Sequence, residues 1–159
     1  MKKLILTVLM LAPLGACSLD YTPPICRTKA PEVASMAGDT VLTTSGLRYI
    51  ELAPGTGKVA PACSKVSIAY DAFAPSGVRF DSATVAAPSN FTAGGMQIPV
   101  LGLDIGVIGM RTGGQRRLII PPVLAFRGVD AVDATGHVVV PGNSTLIVDV
   151  RLLTVDGTP

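Results

Sequence analysis

Leu101-Gly102-Leu103-Asp104-Ile105-Gly106-Val107-Ile108-Gly109-Met110-Arg111-Thr112, then Gly113-Gly114 and Arg117-Leu118-Ile119-Ile120-Pro121-Pro122, is the stretch on which the fold turns. Its first part predicts the one good helix of the chain, over 101–112. Gly102, Gly106 and Gly109 fall at i, i+4 and i+7 and so share a face. Each glycine costs a helix roughly 1 kcal/mol against Ala. That cost makes sense if the face must lie close against another surface, such as a sheet. Gly113-Gly114 supplies a C-terminal stop, and 117–120 reads as a strand closed by two prolines.

Short strands surround this helix. Leu47-Arg48-Tyr49-Ile50-Glu51-Leu52 ends at Pro54-Gly55-Thr56-Gly57, and Lys65-Val66-Ser67-Ile68-Ala69-Tyr70 alternates as a half-buried strand does. Val78-Arg79-Phe80-Asp81 follows the turn Pro75-Ser76-Gly77, as in a hairpin. Ser144 to Val155 is the longest strand, rich in Val, Leu and Ile. About five strands and one short helix give an α+β domain, a twisted antiparallel sheet wrapped around the helix.

Composition narrows the chemistry. The 159 residues make about one domain. Apolar residues are 48% but aromatics only 4%, without Trp, so Val, Ile, Leu and Ala must build the core. Net charge is +2, with Lys2 and Lys3 contributing both units, which leaves no electrostatic footprint for nucleic acid. His137 is the only histidine and falls in a predicted loop, which argues against catalytic triads and zinc sites. Gly55-Thr56-Gly57-Lys58 lacks the remaining P-loop residues. No metal or cofactor is expected.

The N-terminus reads as an export signal. Lys2 and Lys3 precede an apolar run from Leu4 to Leu14, too short for a span of about 20 residues but suited to a signal peptide. Leu14-Gly15-Ala16-Cys17 matches the bacterial lipobox, in which the cysteine is lipidated and becomes the mature N-terminus. The expected organisation is a signal peptide over 1–16, a lipidated N-terminus and tether over 17–40, and a domain over 41–157. An ordinary signal peptide is the alternative. The acyl chains would anchor a monomer in the cell envelope, facing the periplasm, with the outer membrane favoured, or the outer cell surface. Cys26 and Cys63 remain, and in an oxidising compartment they suit a disulfide. Two free thiols are the alternative.

Four segments resemble the FKBP-type prolyl isomerases, in the family's order and nearly its spacing. They are Thr44-Ser45-Gly46-Leu47-Arg48-Tyr49 with Gly55-Thr56-Gly57, Val66-Ser67-Ile68-Ala69-Tyr70 through Phe80-Asp81-Ser82, Gly106 through Pro122, and Val140-Pro141-Gly142-Asn143-Ser144-Thr145-Leu146-Ile147-Val148-Asp149-Val150 onward to Leu153. The resemblance implies a substrate pocket between sheet and helix, lined by Tyr70, Phe80, Asp81, Val100, Leu103, Phe126, Val139, Val140 and Val148. Its implied substrates are X-Pro segments of unfolded or partly folded exported proteins.

Rotation about an amide faces a barrier of about 18–20 kcal/mol, and exchange at X-Pro takes tens of seconds unaided. The twisted transition state is less charge-separated than either planar state, so a dry apolar pocket favours it without a nucleophile. Tyr70 and Asp81, the implied catalytic pair, would orient the substrate backbone by hydrogen bonding. The sequence departs from the family at Leu103, usually Trp, at Val148, usually Phe, and at Phe126, usually Tyr. Ser89 stands about where another aromatic is usual. These departures predict a looser pocket, weak isomerase activity and poor macrolide binding. A non-catalytic peptide- or protein-binding lipoprotein of the same fold is the alternative.

Overall fold

The computed structural model describes residues 38–157. The signal peptide, Cys17, Cys26 and most of the tether therefore lie outside the described residues. Strands run β1 Thr40–Leu42, β2 Arg48–Ala53, β3 Lys65–Phe73, β4 Arg79–Ala83, β5 Ser89–Thr92, β6 Gln115–Ile120, β7 Ala131–Val132, β8 Val138–Val140 and β9 Leu146–Val155. Among the described residues the single α-helix, α1, spans Leu101–Gly106. Seven strands form one sheet in the order β1-β2-β6-β9-β3-β4, with β5 also on β3, while β7 and β8 pair separately. Every pairing is antiparallel. The expected sheet wrapped on one short helix is present, and four strands of two to four residues add to the five expected.

Burial in β9 shows why these residues make this sheet. Leu146, Val148, Val150 and Leu152 are buried while Ile147 and Arg151 are exposed, the period-2 signature of a strand with one face on a core. Ile68 on β3 and Leu118 and Ile120 on β6 complete that inner face with no solvent exposure. The register slips between Ser67 and Ile68, whose partners on β9 are Thr154 and Leu152. Such a bulge bends the strand and increases its twist, which curls the sheet toward α1. The turn Pro75-Ser76-Gly77 joins β3 to β4 as expected, with Gly77 at φ +81° and its N–H donating to the Ala74 carbonyl at 2.9 Å.

Glycine lets the helix touch the sheet. A Cβ on Gly106 would stand 2.6 Å from Leu118 Cδ1, and one on Gly102 would lie inside van der Waals contact with Ile120. The helix is nevertheless half the length expected, and the third glycine is not on it. Gly109 has φ +81°, and a Cβ there would meet nothing within 4 Å. Competing backbone pairing ends the helix. Gly109 N–H donates to the Ala60 carbonyl at 2.8 Å, Ala60 N–H to Met110 at 2.8 Å, and Thr112 N–H to Lys58 at 3.0 Å. Gly113-Gly114 is thus a turn into β6 rather than a helix stop.

Arg116 closes the open end of α1. It is 4% exposed, and its Nη1 donates to the carbonyls of Gly106 at 2.7 Å and Ile108 at 3.2 Å. Cationic donors suit a helix C-terminus, where carbonyls are unpaired and the dipole is negative. Its Nε and Nη2 donate to Glu51, Nε at 2.8 Å, and the guanidinium lies 4.1 Å from the Tyr49 ring centroid.

Candidate functional site

Between α1 and the sheet opens a hollow of about 120 Å³. β3 contributes Tyr70 and Ala72, two residues apart and so on one face; β9 contributes Leu146 and Val148 by the same parity. Phe80 and Asp81 come from β4 and Ser89 from β5. The loop before the helix adds Ile98, Pro99 and Val100, α1 adds Leu103, and the irregular turn after Pro122–Leu124 adds Phe126. Phe80 and Phe126 meet edge to face, their centroids 6.1 Å apart and planes at 66°. This is a favoured aromatic geometry, and it fixes one wall.

Polar groups gather on the Asp81 side. The Tyr70 hydroxyl donates to Asp81 Oδ2 at 2.7 Å, and the Ser82 backbone N–H donates to Asp81 Oδ1 at 2.8 Å. Burial, then the hydrogen bond to Asp81 and its charge, hold the Tyr70 phenol far above its ordinary pKa. Tyr70 is therefore a fixed hydroxyl donor near neutral pH and not a proton shuttle. Asp81 is solvent-exposed on its open side, so its carboxylate is reachable by a ligand backbone.

Seven of the nine expected lining residues come together: Tyr70, Phe80, Asp81, Val100, Leu103, Phe126 and Val148. Val139 and Val140 do not. Val140 pairs with Ala131 on β7 and is wholly buried in the core, while half-buried Val139 packs against that core without lining the hollow. Ala72, Ile98, Pro99 and Leu146 also line the hollow, beyond the residues that the sequence predicts. Strand parity from Tyr70 and Val148 was signal enough for Ala72 and Leu146; for Ile98 and Pro99 the sequence carries none. His137 sits at the β7–β8 turn with its side chain 85% exposed, Nδ1 2.8 Å from Thr135 Oγ1, and takes no part in the hollow. Cys63 is disulfide-bonded, and the other two cysteines, Cys17 and Cys26, lie outside the described residues.

The family model for FKBP-type peptidyl-prolyl cis-trans isomerase matches residues 57–153. The chain belongs to the FKBP family. Among curated FKBP relatives, the chloroplastic peptidyl-prolyl cis-trans isomerase FKBP16-3 of Arabidopsis thaliana is 41% identical over 119 residues. That match covers 74% of this chain and 52% of the plant protein. FK506-binding protein 4 of Gibberella zeae is 35% identical over 142 residues, covering 87% of this chain and 27% of that protein. The chain thus spans about half or less of these relatives. The solved structure of FkpA from Escherichia coli superposes with a TM-score of 0.61 at 30% identity, over 79% of this FKBP chain and 55% of that one. Among the described residues no helix is long and apolar enough to cross a membrane.

Proposed function

We propose that the chain is a peptidyl-prolyl cis/trans isomerase that assists the folding of exported proteins. The observation that carries this reading is the convergence of Tyr70, Phe80, Asp81, Leu103 and Phe126 on one apolar hollow. An engineered apolar cavity of about 150 Å³ holds benzene, so a mouth of this size suits a five-membered prolyl ring. Once the ring enters, water leaves, and the polar planar amide loses solvation that its twisted transition state needs less. Tyr70 and Asp81 hold the flanking backbone, the hydroxyl as donor and the carboxylate as acceptor. Ser89, Leu103 and Val148 leave Phe80 and Phe126 as the ring walls, and Phe126 carries no hydroxyl for the substrate carbonyl. Weak catalysis and poor macrolide binding follow.

Exchange of an X-Pro peptide, followed by NMR, tests the reading. Wild type should accelerate exchange, and Asp81→Ala should lower kcat/KM about tenfold, equivalent to ~1.4 kcal/mol. Equal rates for the two proteins would remove Asp81 from the mechanism. A wild type without activity would leave the second reading, a non-catalytic binding module, which the loss of aromatic walls favours.

The envelope address rests on Lys2, Lys3, the apolar run and Cys17. Lipid at Cys17 would hold a monomeric domain at the membrane surface, and Cys26 is the partner we assign to Cys63. Cys17→Ser should move the protein from the membrane to the aqueous fraction of a bacterial host. Unchanged fractionation would discard the anchor.

A further inference from the structure

Asp104 is the single fully buried carboxylate of the described residues, and the reaction outlined above does not use it. Its Oδ1 accepts the Gly94 N–H at 3.2 Å and its Oδ2 the Met96 N–H at 2.8 Å, while the Gly95 N–H between them donates to the Thr92 carbonyl at 2.8 Å. Gly94 N–H reaches the Asp104 carbonyl as well, at 3.3 Å. Met96 has φ +55°, a left-handed conformation that a residue with a side chain adopts only when its surroundings enforce it. The neighbours on either side of this knot line the hollow: Leu103 precedes Asp104 on α1, and Ile98 to Val100 run from Met96 back to the helix.

We propose that Asp104 is the positioning residue of the hollow, fastening the 94–96 loop to α1 so that the Ile98–Val100 wall stands at a fixed distance from the Leu103 floor. The inference deepens the isomerase reading and rests on it for its catalytic consequence. Among the described residues, no charged side chain shares the carboxylate. On β6, packed against α1, Arg116 is turned to Gly106, Ile108 and Glu51, and Arg117 to Asp149. Lys58, beside the segment that follows α1, is engaged with Asp156. Burial pushes the Asp104 carboxyl above the usual carboxylate range, outweighing the amide bonds that pull it down. On acidification it therefore takes its proton before surface carboxylates do. One oxygen then carries a hydrogen toward an N–H, and the knot loosens.

The test uses the full chain. In NMR spectra taken from pH 7 down to about pH 4, the Gly94 and Met96 amide protons should titrate with a midpoint above the ordinary Asp value. Methyl resonances of Ile98, Val100 and Leu103 should move with the same midpoint. Asp104→Asn keeps the shape but turns an NH₂ toward one of the amides. It should abolish the titration and raise KM about three- to tenfold with kcat little changed, as loss of uniform binding does. Val155→Ala, which thins the core at the far end of β9, should leave KM alone. Amides that titrate while the methyls stay still would overturn the proposal, as would equal KM shifts in both variants. If Asp104→Asn fails to fold, the wild-type titration decides alone. A wild type without isomerase activity would end the functional reading, while the methyl titration would still judge the clamp.

Discussion

Arg116→Ala should lower unfolding free energy by about 3–5 kcal/mol, because it strands a partly buried carboxylate and unpairs a helix end together. Glu51 is left with a side chain 15% exposed and no counterion, the Gly106 and Ile108 carbonyls lose their donor, and Tyr49 loses the cation over its ring. Arg117 makes the instructive contrast one residue away. It grips Asp149 with two bonds of 2.6 and 2.7 Å, the tidier geometry, yet its side chain is 44% exposed. An exposed pair of this kind contributes about 1 kcal/mol or less, so Arg117→Ala should cost far less. Urea midpoints of the two variants check the ranking; equal shifts would mean that burial is not what gives Arg116 its weight. Replacing both partners, Arg116→Met with Glu51→Leu, should recover much of the loss, since no charge is then stranded.

Gly102→Ala carries the second large effect, and two terms compete in it. Alanine improves helix propensity by up to about 1 kcal/mol. Against that, the new methyl would overlap Ile120, whose Cγ1 and Cβ would stand 3.0 and 3.1 Å from it and whose Cγ2 would stand nearer still. Ile120 is fully buried and β-branched, so its χ1 cannot swing away, and overpacking of this kind costs about 1–3 kcal/mol. Clash wins, and the variant should be less stable. Gly102→Ala paired with Ile120→Ala, which removes both Cγ1 and Cγ2, should reveal coupling in a double-mutant cycle, the second change softening the first. Additive effects would show that the close approach of helix and sheet is not what glycine serves here.

The legible parts of the fold were those with a period or a punctuating turn. β9 displays its inner face by strict alternation, and Pro75-Ser76-Gly77 marks the β3–β4 hairpin. β1, β5, β7 and β8 are two to four residues long, too short to show a period; β1 and β5 form on the free edges of the longer β2 and β3, and β7 and β8 pair with each other. Sequence spacing predicts too long a helix because it continues through Gly109, whereas pairing of 109–112 with 58–60 is a tertiary event that local spacing does not contain. At the hollow, Phe80, Asp81 and Tyr70 were legible through family resemblance, as was Leu103. The same resemblance misplaced Val139 and Val140, because β8 pairs only with β7 and turns its buried side into the core.

β3 gives one edge to β9 and divides the other between β4 and β5. Phe80, Asp81 and Ser89 therefore hang on short peripheral strands and Phe126 on an irregular turn, whereas the central ladder supplies Ala72, Leu146 and Val148 as backing and, of the polar grip, Tyr70. Frame and grip are separable in such a plan. Evolution, or an engineer, can exchange the outer wall for larger or more polar groups without spending the stability of the ladder, which makes this architecture a chassis whose selectivity is cheap to retune.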